Sequence, residues 1–175
     1  MQRGRLLFVC LVAACSSGTS ASVDAAPPVD ECEAKPVIAG GAAELGLGPD
    51  FTMVTEGQDL ALQWGTQTLL MFVVNARAHE MNIVPGQSQG VVNVTALGPD
   101  GAQVSLETGC RVRDFMSLPS GDVQLASPFQ LPMQPARTPQ IDGAKIKIRL
   151  EIRDQDGRQA INEVSVVAHL PDAIR

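Results

Sequence analysis

The chain has 175 residues, a length that suits one domain and a tail better than two domains, and its 45% hydrophobic content is enough to fill one core. A formal charge of -6 argues against binding nucleic acid through its phosphates. Aromatic residues make up only 3%, with no Tyr and a single Trp, so stacking on sugars or bases is poorly supplied and a glycan partner is disfavoured.

Arg3 and Arg5 precede an unbroken apolar run over residues 6–14. A helix needs about 20 apolar residues to span a bilayer core, so this run reads as the core of a cleaved signal peptide, residues 1–14. The run ends in Val12-Ala13-Ala14-Cys15, which resembles the bacterial lipobox: an aliphatic residue, two small residues, then Cys. The resemblance implies that Cys15 receives a diacylglycerol, that a peptidase cuts before it, and that the new amino group is acylated. Two or three acyl chains anchor stably where one binds only marginally. The alternative is an ordinary signal peptide with an incidental Cys. Cys10 competes as the lipidated residue, but Val9 stands before it where the motif takes a small residue. Ser16 is not the Asp that retains such proteins at an inner membrane, so the resemblance favours an exported protein anchored in an outer membrane, on either face.

Of the four cysteines, Cys10 leaves with the signal and Cys15 carries lipid, which leaves Cys32 and Cys110 in an oxidising compartment. A Cys32–Cys110 disulfide is the natural inference, with two free or intermolecular thiols as the alternative. Thirteen basic residues less Arg3 and Arg5 leave 11 against 19 acidic ones, so the exported form carries a formal charge of -8.

Residues 15–36 are rich in Ser, Ala, Pro and acid without apolar periodicity, and read as the lipidated Cys followed by a flexible tether. Residues 37–175 form the domain, although residues 40–50 carry few order signals. Leu60, Leu62 and Trp64 alternate onto one face of a strand, and residues 69–74 form a continuous apolar run that suits a central strand. Val92, Val94 and Ala96 share a face. Gly98-Pro99-Asp100-Gly101 then turns the chain into a strand with Ala102, Val104 and Leu106 inward. Residues 123–126 and 129–131 follow, then a long strand at 145–153 and a turn at Asp154-Gln155-Asp156-Gly157. A last strand runs through Val164, Val166, Ala168 and Leu170. About eight short strands between Gly, Pro and Asp turns, with no helical stripe, predict an all-β antiparallel sandwich.

Two segments carry a resemblance. Residues 56–67 (EGQDLALQWGTQ), followed by an apolar strand, and residues 154–158 (DQDGR) are similar to a recurring core in uncharacterised lipoproteins of myxobacteria and their relatives. This sequence departs from them at Thr68, Leu69 and Leu70, where those proteins have glycines and a His. The resemblance implies an immunoglobulin-like fold and no activity.

Four motifs bear on chemistry. Gly86-Gln87-Ser88-Gln89-Gly90 matches G-x-S-x-G, and downstream acids before His169 reproduce the order of a hydrolase triad. A nucleophile elbow needs a helix after the Ser, whereas residues 91–97 read as a strand, so a polar loop is preferred and a small serine hydrolase is the alternative. His79-Glu80 begins H-E-x-x-H, but Ile83 occupies the second His position, and His79 and His169 read as surface residues. Asp154-x-Asp156-Gly157 opens like a calcium loop without its later ligands, and reads first as a hairpin turn. Lys145, Lys147, Arg149 and Arg153 alternate with Ile146, Ile148, Leu150 and Ile152, a basic ribbon that either shields the strand or touches an acidic surface. No motif asks for a cofactor or metal. Tether and domain together predict a lipid-anchored, non-catalytic envelope module whose partner is the membrane and an envelope protein.

Overall fold

The computed structural model describes residues 37–65, 67–87 and 90–172. The strands in chain order are β1 (Ile38–Ala39), β2 (Ala42–Leu47), β3 (Thr52–Met53), β4 (Gln58–Ala61), β5 (Gln63–Trp64), β6 (Leu70–His79), β7 (Gly90–Leu97), β8 (Arg111–Arg113), β9 (Phe115–Ser117), β10 (Val123–Leu125), β11 (Phe129–Pro132), β12 (Lys145–Arg153) and β13 (Arg158–His169). They form a sandwich of two sheets. One has the order β1-β13-β12-β7-β8 with β4 beside β13; the other has β3-β2-β6-β10-β9 with β5 and β11 also on β6. One short 3-10 turn, Thr138–Gln140, is the only helical element among the described residues.

Period-two alternation places the core. In β12, Ile146, Ile148, Leu150 and Ile152 all turn inward, at most 1% exposed, and Val92, Val94 and Ala96 of β7 do the same. The opposing sheet contributes Phe72, Val74, Ala76 and Ala78 of β6 to the same cluster. The apolar run at 69–74 is therefore only half of its strand. Beyond Val74 the outward positions become Asn75, Arg77 and His79 while small inward alanines continue the core, so hydropathy alone ends the strand too early.

Several expectations are corrected. Residues 40–50 contain a full strand, β2, paired with β6 from Ala42↔His79 to Leu47↔Val74. Leu60 and Leu62 are buried, but Trp64 is 55% exposed. The Leu62 N–H still donates to His169 O at 2.8 Å in the first sheet, and one residue later Gln63 pairs with Met71 in the second. The chain changes sheets at this point, and alternation holds only within one sheet.

The turn at Gly98–Gly101 forms, with Gly101 N–H on Gly98 O at 2.9 Å, but no strand follows it. Val104 and Ser105 both donate to Ala96 O, two residues opposing one as in a bulge, and Ser105 then bridges to Met133 of the other sheet. Only Val104 of the three expected inward residues is fully buried. The sandwich is also not wholly antiparallel, because β1 and β4 both run parallel to β13. The final strand begins at Arg158, immediately after the Asp154–Gly157 turn. Cys15, Cys32 and the tether lie outside the described residues.

Candidate functional site

Register separates the residues of the hydrolase reading. Gly90 begins β7, whose Val91 lies opposite Arg153 of β12, which lies opposite Gln159 of β13. His169 is ten residues further along β13, on the order of 30 Å at ~3.3 Å per residue. Ser88 lies outside the described residues. Gly90 has a packing role instead: a Cβ there would sit 2.2 Å from the Phe115 ring. His169 is committed elsewhere, with Nε2 2.7 Å from Asp59 Oδ1 of the neighbouring β4.

His79 is half-buried rather than a plain surface residue. It ends β6 between two carboxylates, with Nδ1 3.0 Å from Asp122 Oδ1 and Nε2 3.3 Å from Glu44 Oε2. The Glu44 contact is an ion pair off the hydrogen-bond line, since Nε2 has no hydrogen-bond partner. Burial alone would lower the His79 pKa, but the hydrogen bond to Asp122 and the charge of Glu44 outweigh it and hold the value above 6.5. Asp122 is held below 3.8, first by the Ser120 hydroxyl at 2.6 Å and then by His79.

The sign of the His79 linkage follows from the raised folded value. Its contribution is fully present below the unfolded pKa and is lost as pH rises through the folded one. The unfolding midpoint in urea should therefore fall modestly between about pH 6 and about pH 9, and His79→Gln should flatten that slope. An unchanged slope in the variant would refute the assignment.

The acidic turn is occupied by the protein itself. Asp154 is 4% exposed; its Oδ1 accepts from the N–H groups of Asp156 and Arg158, both at 2.9 Å, and its Oδ2 from Asn82 N–H at 2.8 Å. Asp156 Oδ2 accepts from the Asn82 amide at 2.7 Å. These are the bonds of a hairpin turn docked onto the segment after β6, and Gly157 takes a positive φ of 84° to close it. Among the described residues no group of three or more His, Cys, Asp or Glu is placed to hold a metal.

The basic ribbon is neutralised where it stands. Lys147 and Arg149 both reach Glu163 of β13, at 3.2 and 2.8 Å, Arg153 reaches Glu151 at 3.0 Å, and Lys145 reaches Glu56 at 2.8 Å. Arg149 and Glu163 are directly opposed across the two strands. β12 lies between β13 and β7, so its charges guard no sheet edge.

Two features absent from the sequence reading emerge in their place. Trp64 stands over an apolar groove of about 220 Å³ whose walls include Leu69, Leu70, Met133, Pro135 and Pro139. On the other side of Leu69, a cleft of about 290 Å³ opens between the sheets and takes Arg111 and Arg113 into its lining. The exposure of Trp64 could not be read from alternation, because the change of sheet after Leu62 has no local signature. An Arg-x-Arg pair in a short strand was visible, but not that both side chains share one cleft. No family model matches the chain, and no curated protein matches it.

Proposed function

We propose that this protein is a lipid-anchored, non-catalytic module of the cell envelope that binds a protein partner through the Trp64 end of its sandwich. In this reading residues 1–14 are removed, lipid on Cys15 holds the protein at the outer membrane, and the segment to residue 36 spaces the domain from it. A Cys32–Cys110 disulfide ties the tether to the domain; its support is that Cys110 is buried.

The observation that carries the reading is Trp64. The chain's single Trp is 55% exposed above an apolar groove, where burial in a core would be the ordinary fate of such a side chain. Trp is enriched among residues that dominate binding energy when a partner desolvates them. The groove walls are aliphatic and proline-rich, which suits an apolar peptide segment better than a sugar ring.

A photo-crosslinking residue placed at Trp64 tests this in the native envelope. One dominant protein adduct is expected, and the same group at Ile161, exposed on the outer face of the other sheet, should not give it. The Cys15→Ala form should leave the membrane fraction and lose the adduct. For the partner so identified, Trp64→Ala should weaken binding by about 2 kcal/mol or more. Equal adducts at both positions, or none at Trp64, would overturn the reading.

A further inference from the structure

We infer that the cleft between β8 and β11 is a binding site for a small amphiphilic anion, a carboxylate or phosphate monoester carried on a compact apolar body. Strand register sets the direction of the two arginine side chains. Arg111 is directly opposite Val92, and Arg113 directly opposite Gly90. Opposed residues of an antiparallel pair point to the same side, and Val92 is wholly buried, so both arginine side chains leave the strand on its inner side while Val112 faces out. β8 is the last strand of its sheet. Their stems therefore enter the gap between the sheets at its open flank.

Opposite them stand Leu69, Met71, Phe129 and Pro132, with the amides of Gln67 and Gln130 and the Thr108 hydroxyl at the rim, around about 290 Å³. An apolar floor with a few convergent polar groups is the ordinary make-up of a small-molecule site, and this volume lies near the lower end of such sites.

Neither arginine has a carboxylate partner among the described residues, a state they share with Arg77, which reaches Gln124, and Arg158, which reaches the Glu80 carbonyl. Arg137, Lys145, Lys147, Arg149 and Arg153 each reach a carboxylate at 2.8 to 3.2 Å. Among the described residues no carboxylate lies at that range from Arg111 or Arg113. Arg111 reaches only the adjacent Cys110 carbonyl, at 3.4 Å, and Arg113 lies over the Phe129 ring with its guanidinium carbon 5.0 Å from the centroid. Two guanidiniums, two residues apart on one face, offer planar donor forks that converge on a single anion. Phe129 both fills the floor and fixes one of those forks by stacking. Two cations that share one cleft with an apolar floor, and that have no carboxylate partner among the described residues, have the make-up of an anion clamp with an apolar seat.

The test uses the full chain carrying Cys15→Ala, so that no lipid or detergent competes, and three probes that share one apolar body: phenylbutyrate, phenylbutyl phosphate and phenylbutanol. Titration calorimetry should give a dissociation constant below about 1 mM for at least one of the two anions, with the alcohol at least about tenfold weaker. Which anion binds tighter assigns the head group. Replacing both residues, Arg111→Gln with Arg113→Gln, should lose at least about tenfold for the anion and nothing for the alcohol. Arg111→Lys with Arg113→Lys keeps charge and stem and should recover part of the loss. Trp64→Ala should leave anion binding unchanged, which separates this site from the partner groove. Equal binding of alcohol and anions, undiminished anion binding by the double Gln variant, or no anion binding at about 10 mM would overturn the inference.

Discussion

Asp154→Ala should lower the unfolding free energy by roughly 3 kcal/mol, the largest effect expected of any single surface-turn substitution in this domain. The carboxylate accepts three backbone N–H groups, from Asn82, Asp156 and Arg158, at 2.8 to 2.9 Å. Two of these close the β12–β13 turn, and the third fixes the segment that leaves β6 in the opposite sheet. Removing the side chain leaves three donors without their acceptor at a site that is almost wholly shielded from water, and an unsatisfied buried donor costs about 1 to 3 kcal/mol. Partial rehydration of a turn keeps the sum toward the lower end. Asp154→Asn separates the two roles, since one carbonyl oxygen can still serve Asp156 and Arg158 while its amide meets the Asn82 N–H donor to donor. About half the loss is expected there. Urea denaturation of both variants decides it, and a loss under about 1 kcal/mol for the Ala form would show that the clasp contributes little.

What could be read from the sequence divides along a physical line. β7 and β12 were legible because each lies wholly in one sheet, pairs on both sides, and writes its burial directly as alternation. β2 was not, because Ala42-Ala43-Glu44-Leu45-Gly46-Leu47 has neither β-branched nor aromatic residues. It is a strand because β6 offers it a full ladder, and tertiary pairing outweighs weak intrinsic preference. Trp64 shares a face with Leu60 and Leu62 by alternation, which carries no signal that the chain leaves one sheet for the other. The Asp154 turn was identified as a turn, but its reach to Asn82 spans 72 positions and cannot be inferred locally.

The candidate site was less legible than the fold, for a related reason. Sequence motifs drew attention to Ser88, His79, His169 and the ribbon at 145–153. In the folded chain His79 sits between two carboxylates, His169 lies against Asp59, and each ribbon cation has a carboxylate within reach. Chemistry-bearing residue types that satisfy one another hold structure and leave little for a ligand. The informative residues are those left with something unmet among the described residues, an apolar ring in water at Trp64 and two cations in one cleft without a carboxylate partner at Arg111 and Arg113. Neither property belongs to the residue itself. Both are set by what the rest of the chain fails to bring near it, which only the assembled sheets reveal.

Loss of the proposed Cys32–Cys110 bridge should cost about 4 kcal/mol, because it would close a loop of about 80 residues in the unfolded chain. The sheet order makes the bridge geometrically demanding and so testable. β1 begins at Ile38 on one edge of its sheet, and Cys110 immediately precedes β8 on the other. Four neighbour spacings of ~4.8 Å across the sheet and an offset of three residues along it, ~10 Å, separate Cys110 from Ile38 by ~22 Å. The six residues from Cys32 to Ile38 reach at most ~20 Å and the disulfide adds ~5.5 Å between Cα atoms, so the bridge is attainable with little slack. Two expectations follow for the unreduced chain carrying Cys15→Ala and processed at its signal. Unfolded in denaturant, it should titrate no free thiol. Deleting Ala34 and Lys35 should shorten the total reach to ~19 Å, expose two free thiols, and lower stability by the same ~4 kcal/mol as replacing both cysteines with Ser. Serine at both positions removes the bond without leaving a lone thiol, and it controls for the cost of placing a hydroxyl at the buried Cys110 site when compared with the reduced parent. Two titratable thiols in the parent chain would overturn the bridge outright. A deletion variant that keeps its bridge would mean that β1 releases its edge of the sheet to supply the missing length.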